Sequence, residues 1–140
     1  MTFKLNNKVI KNFSPSYIIA EVGANFNGDL DIAKKMILEV KKSGADAVKF
    51  QAGNKDNMLS QRLWKDKESP LPIFGHKTQA ELEDFLSLSY EDHENLFEFS
   101  KKNNIDFSST VFSNDYVEFL SDLDVPYFKI ASMDLNHHDL

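Results

Sequence analysis

The period of apolar and polar positions changes several times along the chain, and each change marks an element. Residues 17–22 (Tyr-Ile-Ile-Ala-Glu-Val) form a short apolar, β-branched run between Ser14-Pro15-Ser16 and Gly23, the pattern of a strand buried on both faces. From Asp29 the spacing becomes helical. Ala33, Met36, Ile37 and Val40 fall at i, i+3, i+4 and i+7, opposite Lys34, Lys35, Lys41 and Lys42, and Gly44 supplies the C′ position. Residues 45–51 return to a strand, so the first elements predict a β-α-β unit with parallel strands.

The alternation continues in the second half. Residues 52–74 carry Asn, Gly, Lys, Asp and two prolines with little periodicity, and read as a long loop of the kind that is usually functional or mobile in a compact domain. Helices are expected at Gln79–Leu86 and Tyr90–Lys102, the second with Ser89 as N-cap, Asp92 three residues on, and Leu96 and Phe97 facing inward. A strand at 105–110, a helix at 115–123 capped by Ser113 or Asn114, and a strand at 126–132 complete the order β-α-β-α-β-α-β. That order predicts a parallel sheet, either doubly wound or part of a (β/α)8 barrel.

Composition narrows the chemistry. With 140 residues the chain is long enough for one ordinary domain with a core. A net charge of −6 argues against a nucleic-acid footprint and against attraction to anionic lipid, so any anionic ligand must be held by local cations. There is no cysteine, which excludes a disulfide scaffold, a thiolate metal site and a cysteine nucleophile. The opening MTFKLNNKVIKNF lacks the apolar segment of a signal peptide, and no run approaches the ~20 apolar residues of a membrane span. The expected address is the cytoplasm.

In both candidate folds functional groups gather at the carboxyl ends of the strands. Those ends read Glu21-Val-Gly, Lys49-Phe-Gln51, Ser108-Ser-Thr110 and Lys129-Ile-Ala-Ser132-Met-Asp134. Lysines inside apolar strands are costly to bury unless they meet an anion, and a phosphate or carboxylate would satisfy them, with Thr110 and Ser132 adding hydrogen bonds. The plainer alternatives are a lysine snorkelling to solvent and hydroxyls that only form turns or caps. Strand alternation also sets Ser132 and Asp134 on one face and Lys129 on the other, so the strand must bulge or end if all three share a ligand. Gly23 and Gly28 lack the Lys-Ser/Thr of a P-loop. Asn25 and Asn27 around Gly28 read as a turn before a helix, His137 and His138 point apart on a strand, and His76 and His93 carry no ligand spacing.

Taken in order, YIIAEVGANFNGDLDIAKKMI, SGADAVKFQ, IDFSSTVFSNDYVEFL and VPYFKIASMDL resemble the N-terminal half of the N-acetylneuraminate (sialic acid) synthase family, which includes legionaminic and pseudaminic acid synthases. The resemblance covers residues 16–140. It implies a (β/α)8 TIM barrel that condenses phosphoenolpyruvate with an N-acetylated aldose, releasing phosphate and forming a nine-carbon 2-keto acid. By match to the family motifs, Lys49, Thr110, Lys129 and Ser132 would hold phosphoenolpyruvate. Gln51 and Glu21 would face the sugar, and Asp134 would move protons or stabilise the oxocarbenium-like centre. Catalytic roles are therefore expected for Asp134 and Glu21.

Departures from the family pattern are Phe26 where NHNG has histidine, STVF for STPF, and Asp134 where glutamate is common. The family's divalent metal, manganese or magnesium, is held by two histidines of later strands, which His137 and His138 do not match. Four strands cannot close a barrel. Residues 1–140 are accordingly expected to be a partial synthase domain, inactive alone, whose stability needs a further half-barrel, either its own copy or another chain. Two other functions stay open: a Schiff-base aldolase using Lys49 or Lys129, and a non-catalytic half-barrel for ligand binding or assembly.

Overall fold

The computed structural model describes residues 2–58, 67–69 and 75–140. It opens on an antiparallel hairpin, β1 (Thr2–Leu5) and β2 (Lys8–Lys11). There follow β3 (Ile19–Glu21), α1 (Leu30–Lys42), β4 (Ala47–Ala52), α2 (Lys55–Met58), α3 (Gln79–Leu86) and α4 (Tyr90–Lys102). After these come β5 (Asp106–Val111), α5 (Asn114–Asp122), β6 (Lys129–Ile130) and a 3-10 turn at Ser132–Asp134. The main sheet has the order β3-β4-β5-β6, every neighbouring pair parallel. Helices α1, α4 and α5 pack on β4 and β5.

Local chemistry explains the helix ends. Asp29 caps α1, accepting from the Asp31 and Ile32 amides at 2.8 and 3.1 Å, and beyond the C-cap Ser43 the chain turns through Gly44 at φ +83°. Thr78 with Glu81, and Ser89 with Asp92, form reciprocal capping boxes at α3 and α4. At α5 the cap position is Ser113, but its hydroxyl makes no capping bond and instead accepts from Asn57 Nδ2 at 3.1 Å. The helices bury Ala33, Ile37, Leu96, Tyr116 and Leu120 against Val48, Phe50, Phe107 and Val111. Phe50 stacks on Phe107 at 5.5 Å and meets Phe26 edge-on at 6.1 Å. Each such buried ring or aliphatic side chain contributes about 1.5–3 kcal/mol. Phe26 is therefore an outer-layer core residue, an apolar role in place of a polar one.

With helices on one face and a polar opposite face, the sheet is the half-barrel type rather than doubly wound. Several expectations change at its edges. Residues 17–22 were expected to be buried on both faces, yet the strand shortens to Ile19–Glu21 and Ile19 stays 43 % exposed. The reason is that β3 is an edge strand with an uncovered inner face. The strand expected at 126–132 is only Lys129–Ile130, and its end supplies the break in alternation before Ser132. The loop at 52–74 contains α2, and Glu68 bridges Thr78; residues 59–66 and 70–74 of that loop lie outside the described residues.

The hairpin was not anticipated. It is tied to the amino ends of β4 and β5: Lys8 Nζ lies 2.7 Å from both oxygens of Asp46 and donates to the Ser16 carbonyl at 2.8 Å, and Asn6 Nδ2 donates to Asp106 Oδ1 at 2.7 Å. The hydrogen bond from Lys8 holds the Asp46 carboxyl below the usual carboxylate range, assisted by the Ile18 amide. Among the described residues, no helix is long and apolar enough to cross a membrane.

Candidate functional site

Strand register decides which side chains can meet. Glu21 pairs with Lys49, Lys49 with Ser108, Gln51 with Thr110, and Thr110 with Lys129. Since alternate residues face opposite sides, Glu21, Lys49, Gln51, Ser108, Thr110 and Lys129 share the face turned away from the helices. Two cross-strand rows result, Glu21-Lys49-Ser108 and, one step toward the carboxyl ends, Gln51-Thr110-Lys129.

Lys49 is the centre of the lower row. It is only 7 % exposed, donates from Nζ to Thr110 Oγ1 at 2.6 Å, and is ion-paired with Glu21, whose side chain is 52 % exposed. Burying an ammonium costs several kcal/mol unless it is paired and hydrogen-bonded. The anion that a buried strand lysine requires is here a carboxylate of the chain itself, Glu21. Lys129 departs from expectation, being exposed, with Nζ donating to the Ile130 carbonyl at 2.6 Å. The last strand of the sheet has no neighbour on its far side, so the lysine stem reaches solvent. The two lysines share a face, one ammonium held by Thr110 and Glu21 and the other by the Ile130 carbonyl.

Ser132 and Asp134 lie past the strand end. Among the described residues, neither makes a hydrogen bond or ion pair with Lys49, Thr110 or Lys129. One Asp134 oxygen is 3.7 Å from His137 Nδ1, and the other is buried without a partner. Gln51 is half-buried, and its Nε2 would stand 3.6 Å from a Cβ added at Gly23, with Glu21 Oε1 at 3.2 Å. Gly23, at φ +55°, thus lies close against both side chains, where a larger residue would crowd Glu21.

Below the rows lies an aromatic floor that the strand-end pattern did not disclose. Tyr17 and Tyr127 meet edge-on at 6.2 Å, the Tyr17 hydroxyl donates to Asp106, and Ser108 Oγ donates to the Tyr127 carbonyl at 2.6 Å. The Tyr127 hydroxyl is buried with no partner; burial, then the charges of Asp106 and Glu21, push its pKa up, so at neutral pH it keeps its proton. The signal was spacing by two: Tyr17 precedes Ile19 and Glu21, and Tyr127 precedes Lys129, each at same-face intervals.

The histidines take other roles. His93 is fully buried on α4, with Nδ1 3.0 Å from the Ser89 carbonyl; a carbonyl only accepts, so Nδ1 carries the proton. Burial lowers its pKa, against smaller raising effects led by that carbonyl. For the divalent metal implied by the resemblance, no group of three or more His, Asp or Glu side chains gathers among the described residues. The residues present do not fit it, and no chemical step is derived through it.

The fold and site define a class: half of a (β/α)8 barrel, with lysine, hydroxyl and carboxylate groups on the inner face toward the carboxyl ends of parallel strands. Residues 36–140 match the NeuB family, and the chain belongs to that family. It is 39 % identical over 121 residues to N,N'-diacetyllegionaminic acid synthase of Legionella pneumophila, covering 86 % of this chain and 34 % of that protein. It is 35 % identical over 123 residues to human N-acetylneuraminate-9-phosphate synthase, covering 88 % and 34 %. With the pseudaminic acid synthase of Helicobacter pylori the identity is 36 % over 130 residues, covering 90 % and 37 %. Among solved structures, the sialic acid synthetase of Leptospira borgpetersenii in complex with citrate superposes with a TM-score of 0.77 at 29 % identity, covering 99 % of this chain and 44 % of that one. The chain spans about a third of the length of the curated relatives it matches.

Proposed function

We propose that the chain supplies the phosphoenolpyruvate-binding part of a synthase that makes nine-carbon 2-keto sugar acids from an N-acetylated aldose. The observation that carries this reading is the pair of cross-strand rows: a buried ammonium at Lys49, oriented by Thr110, with a second, exposed lysine at Lys129 one strand further on. In this reading Lys49 and Lys129 offset the phosphate and carboxylate charge, and Thr110 and Ser132 orient the anion. Carbon 3 of the enol attacks the aldehyde carbon of the sugar, forming the carbon–carbon bond, and the resulting alkoxide takes a proton. Water adds at carbon 2, its proton leaving to a carboxylate such as Asp134, and collapse to the ketone expels inorganic phosphate. In this reading Glu21 and Gln51 contact the sugar. The names of the relatives, synthases of legionaminic, pseudaminic and neuraminic acids, support this product class.

A Schiff-base aldolase using Lys49 is less well supported, because that amine is engaged by a carboxylate rather than presented as a nucleophile, which leaves Lys129 as the amine for such chemistry. Borohydride trapping with pyruvate separates the two, since only the aldolase gives a covalent adduct. The direct test is calorimetric titration of phosphoenolpyruvate into the chain and into Lys49→Ala. Weak binding, about millimolar, that vanishes in the variant is expected. No heat in either protein, or equal heat in both, overturns the assignment.

A further inference from the structure

The inner face holds one contact that a ligand-binding site should not need. Lys49 is nearly sealed from solvent, yet its partner Glu21 is half exposed and reaches it from the edge strand. The same carboxylate packs close to Gly23, whose missing Cβ would stand 3.2 Å from Oε1 and 3.6 Å from Gln51 Nε2. A side chain so placed has somewhere to go, because its outer half already faces solvent. Lys49 does not share that freedom, because Thr110 Oγ1 fixes its ammonium at 2.6 Å.

We infer that Glu21 is a resident counter-ion, which occupies the Lys49 ammonium in the empty site and must swing away when an anionic ligand arrives. This rests on the reading of the inner face as an anion site and adds to it a competitor built into the chain. An arriving phosphate or carboxylate exchanges one carboxylate for another at Lys49, so its gain is only the surplus over the Glu21 pair. Glu21 thereby weakens anion binding. The usual expectation for a residue in a site, that its removal weakens binding, is reversed here. The competing pair is partly exposed, which limits its strength to that of a modest ion pair, and its removal should tighten anions about fivefold.

The test uses inorganic phosphate and phosphoenolpyruvate as probes, titrated into the 140-residue chain and into Glu21→Gln. Affinity is read by calorimetry, and the Glu21 side-chain carboxyl carbon is followed by NMR in the unsubstituted protein. Both probes should bind Glu21→Gln about fivefold more tightly. Equal or weaker binding to a folded Glu21→Gln, while the unsubstituted chain binds, overturns the inference and leaves the anion site standing. Absence of binding to both proteins overturns the anion site and the inference together. Should circular dichroism show Glu21→Gln unfolded, the carboxyl signal decides: movement in step with saturation supports displacement, and a fixed signal overturns it.

Discussion

Replacing Lys49 by methionine separates a functional lysine from a structural one. Methionine keeps an unbranched stem of similar volume, so the change removes charge with little change in packing. Three effects compete. The hydrogen bond from the ammonium to Thr110 Oγ1 at 2.6 Å is lost, about 1.5–3 kcal/mol for a charged donor. The ion pair to a half-exposed Glu21 is lost, at most about 1 kcal/mol. Against these, the desolvation cost of an ammonium only 7 % exposed is relieved, which is several kcal/mol. Glu21 itself is left facing water and suffers little. The net expectation for Lys49→Met lies between no change and about 2 kcal/mol of added stability, together with loss of phosphoenolpyruvate binding. Urea unfolding followed by circular dichroism measures it, with the slope checked for constancy. A loss above about 2 kcal/mol would refute the reasoning, because Lys49 would then be a structural residue whose ion pair outweighs its burial.

Other consequences concern the scaffold. His93 is held below its ordinary pKa by burial, so on acidification the unfolded chain takes up the proton first; its contribution is intact above pH about 6.5 and is lost below it, by up to about 1.4 kcal/mol per pH unit. Urea midpoints at pH 7.5 and 5.5 should show this, and His93→Leu should flatten it; an unchanged slope in the variant would contradict the assignment. Lys8→Met should let the Asp46 carboxyl rise toward the ordinary range, read by carboxyl NMR titration, and should cost about 1 kcal/mol at neutral pH because the pair is only partly buried. That stability is present above the ordinary carboxylate pKa and is lost as acid protonates Asp46. Gly28→Ala should destabilise by more than about 1 kcal/mol, since φ is +71° and the new Cβ would stand 2.7 Å from the Phe85 carbonyl oxygen, a backbone atom with little room to yield. A neutral midpoint would mean the loop before α1 repacks.

Helices were the most legible part of the sequence, because their evidence is local. The Ala33-Met36-Ile37-Val40 stripe, the Ser89-Asp92 box and Gly44 each act within a turn or two of chain, and the helices α1 and α4 begin and end where those residues direct. Strands were legible as runs but not in extent. Whether Ile19 or Lys129 is covered depends on neighbours far away in sequence, and both lie on edges of the sheet. The hairpin is a missed reading with a visible cause: TFKL and KVIK alternate on either side of Asn6-Asn7, and Asn6 adopts φ +44°, a turn conformation that asparagine tolerates.

For the site, the polar residues at the strand ends were readable one by one, whereas their partnership was not. The pairing of Glu21 with Lys49, and the hydrogen bond from Lys49 to Thr110, arise from register across three strands, information that no single segment holds. The same holds for Tyr127, whose orphaned hydroxyl is meaningful only once Asp106 and Glu21 are seen to surround it. Resemblance to a family supplied candidate roles, whereas the partners of each side chain, such as the Ile130 carbonyl that receives the Lys129 ammonium, come from the fold alone.

The account stands on the inner face being a receptor for a small, multiply charged enol ester. Amide chemical-shift mapping with phosphoenolpyruvate examines that face residue by residue. The account predicts saturable shifts centred on Gln51, Thr110, Lys129 and Ser132, with the hairpin and the outer helices unmoved. Shifts gathered on the hairpin or the helices, or none at phosphoenolpyruvate concentrations well above a millimolar dissociation constant, would contradict it.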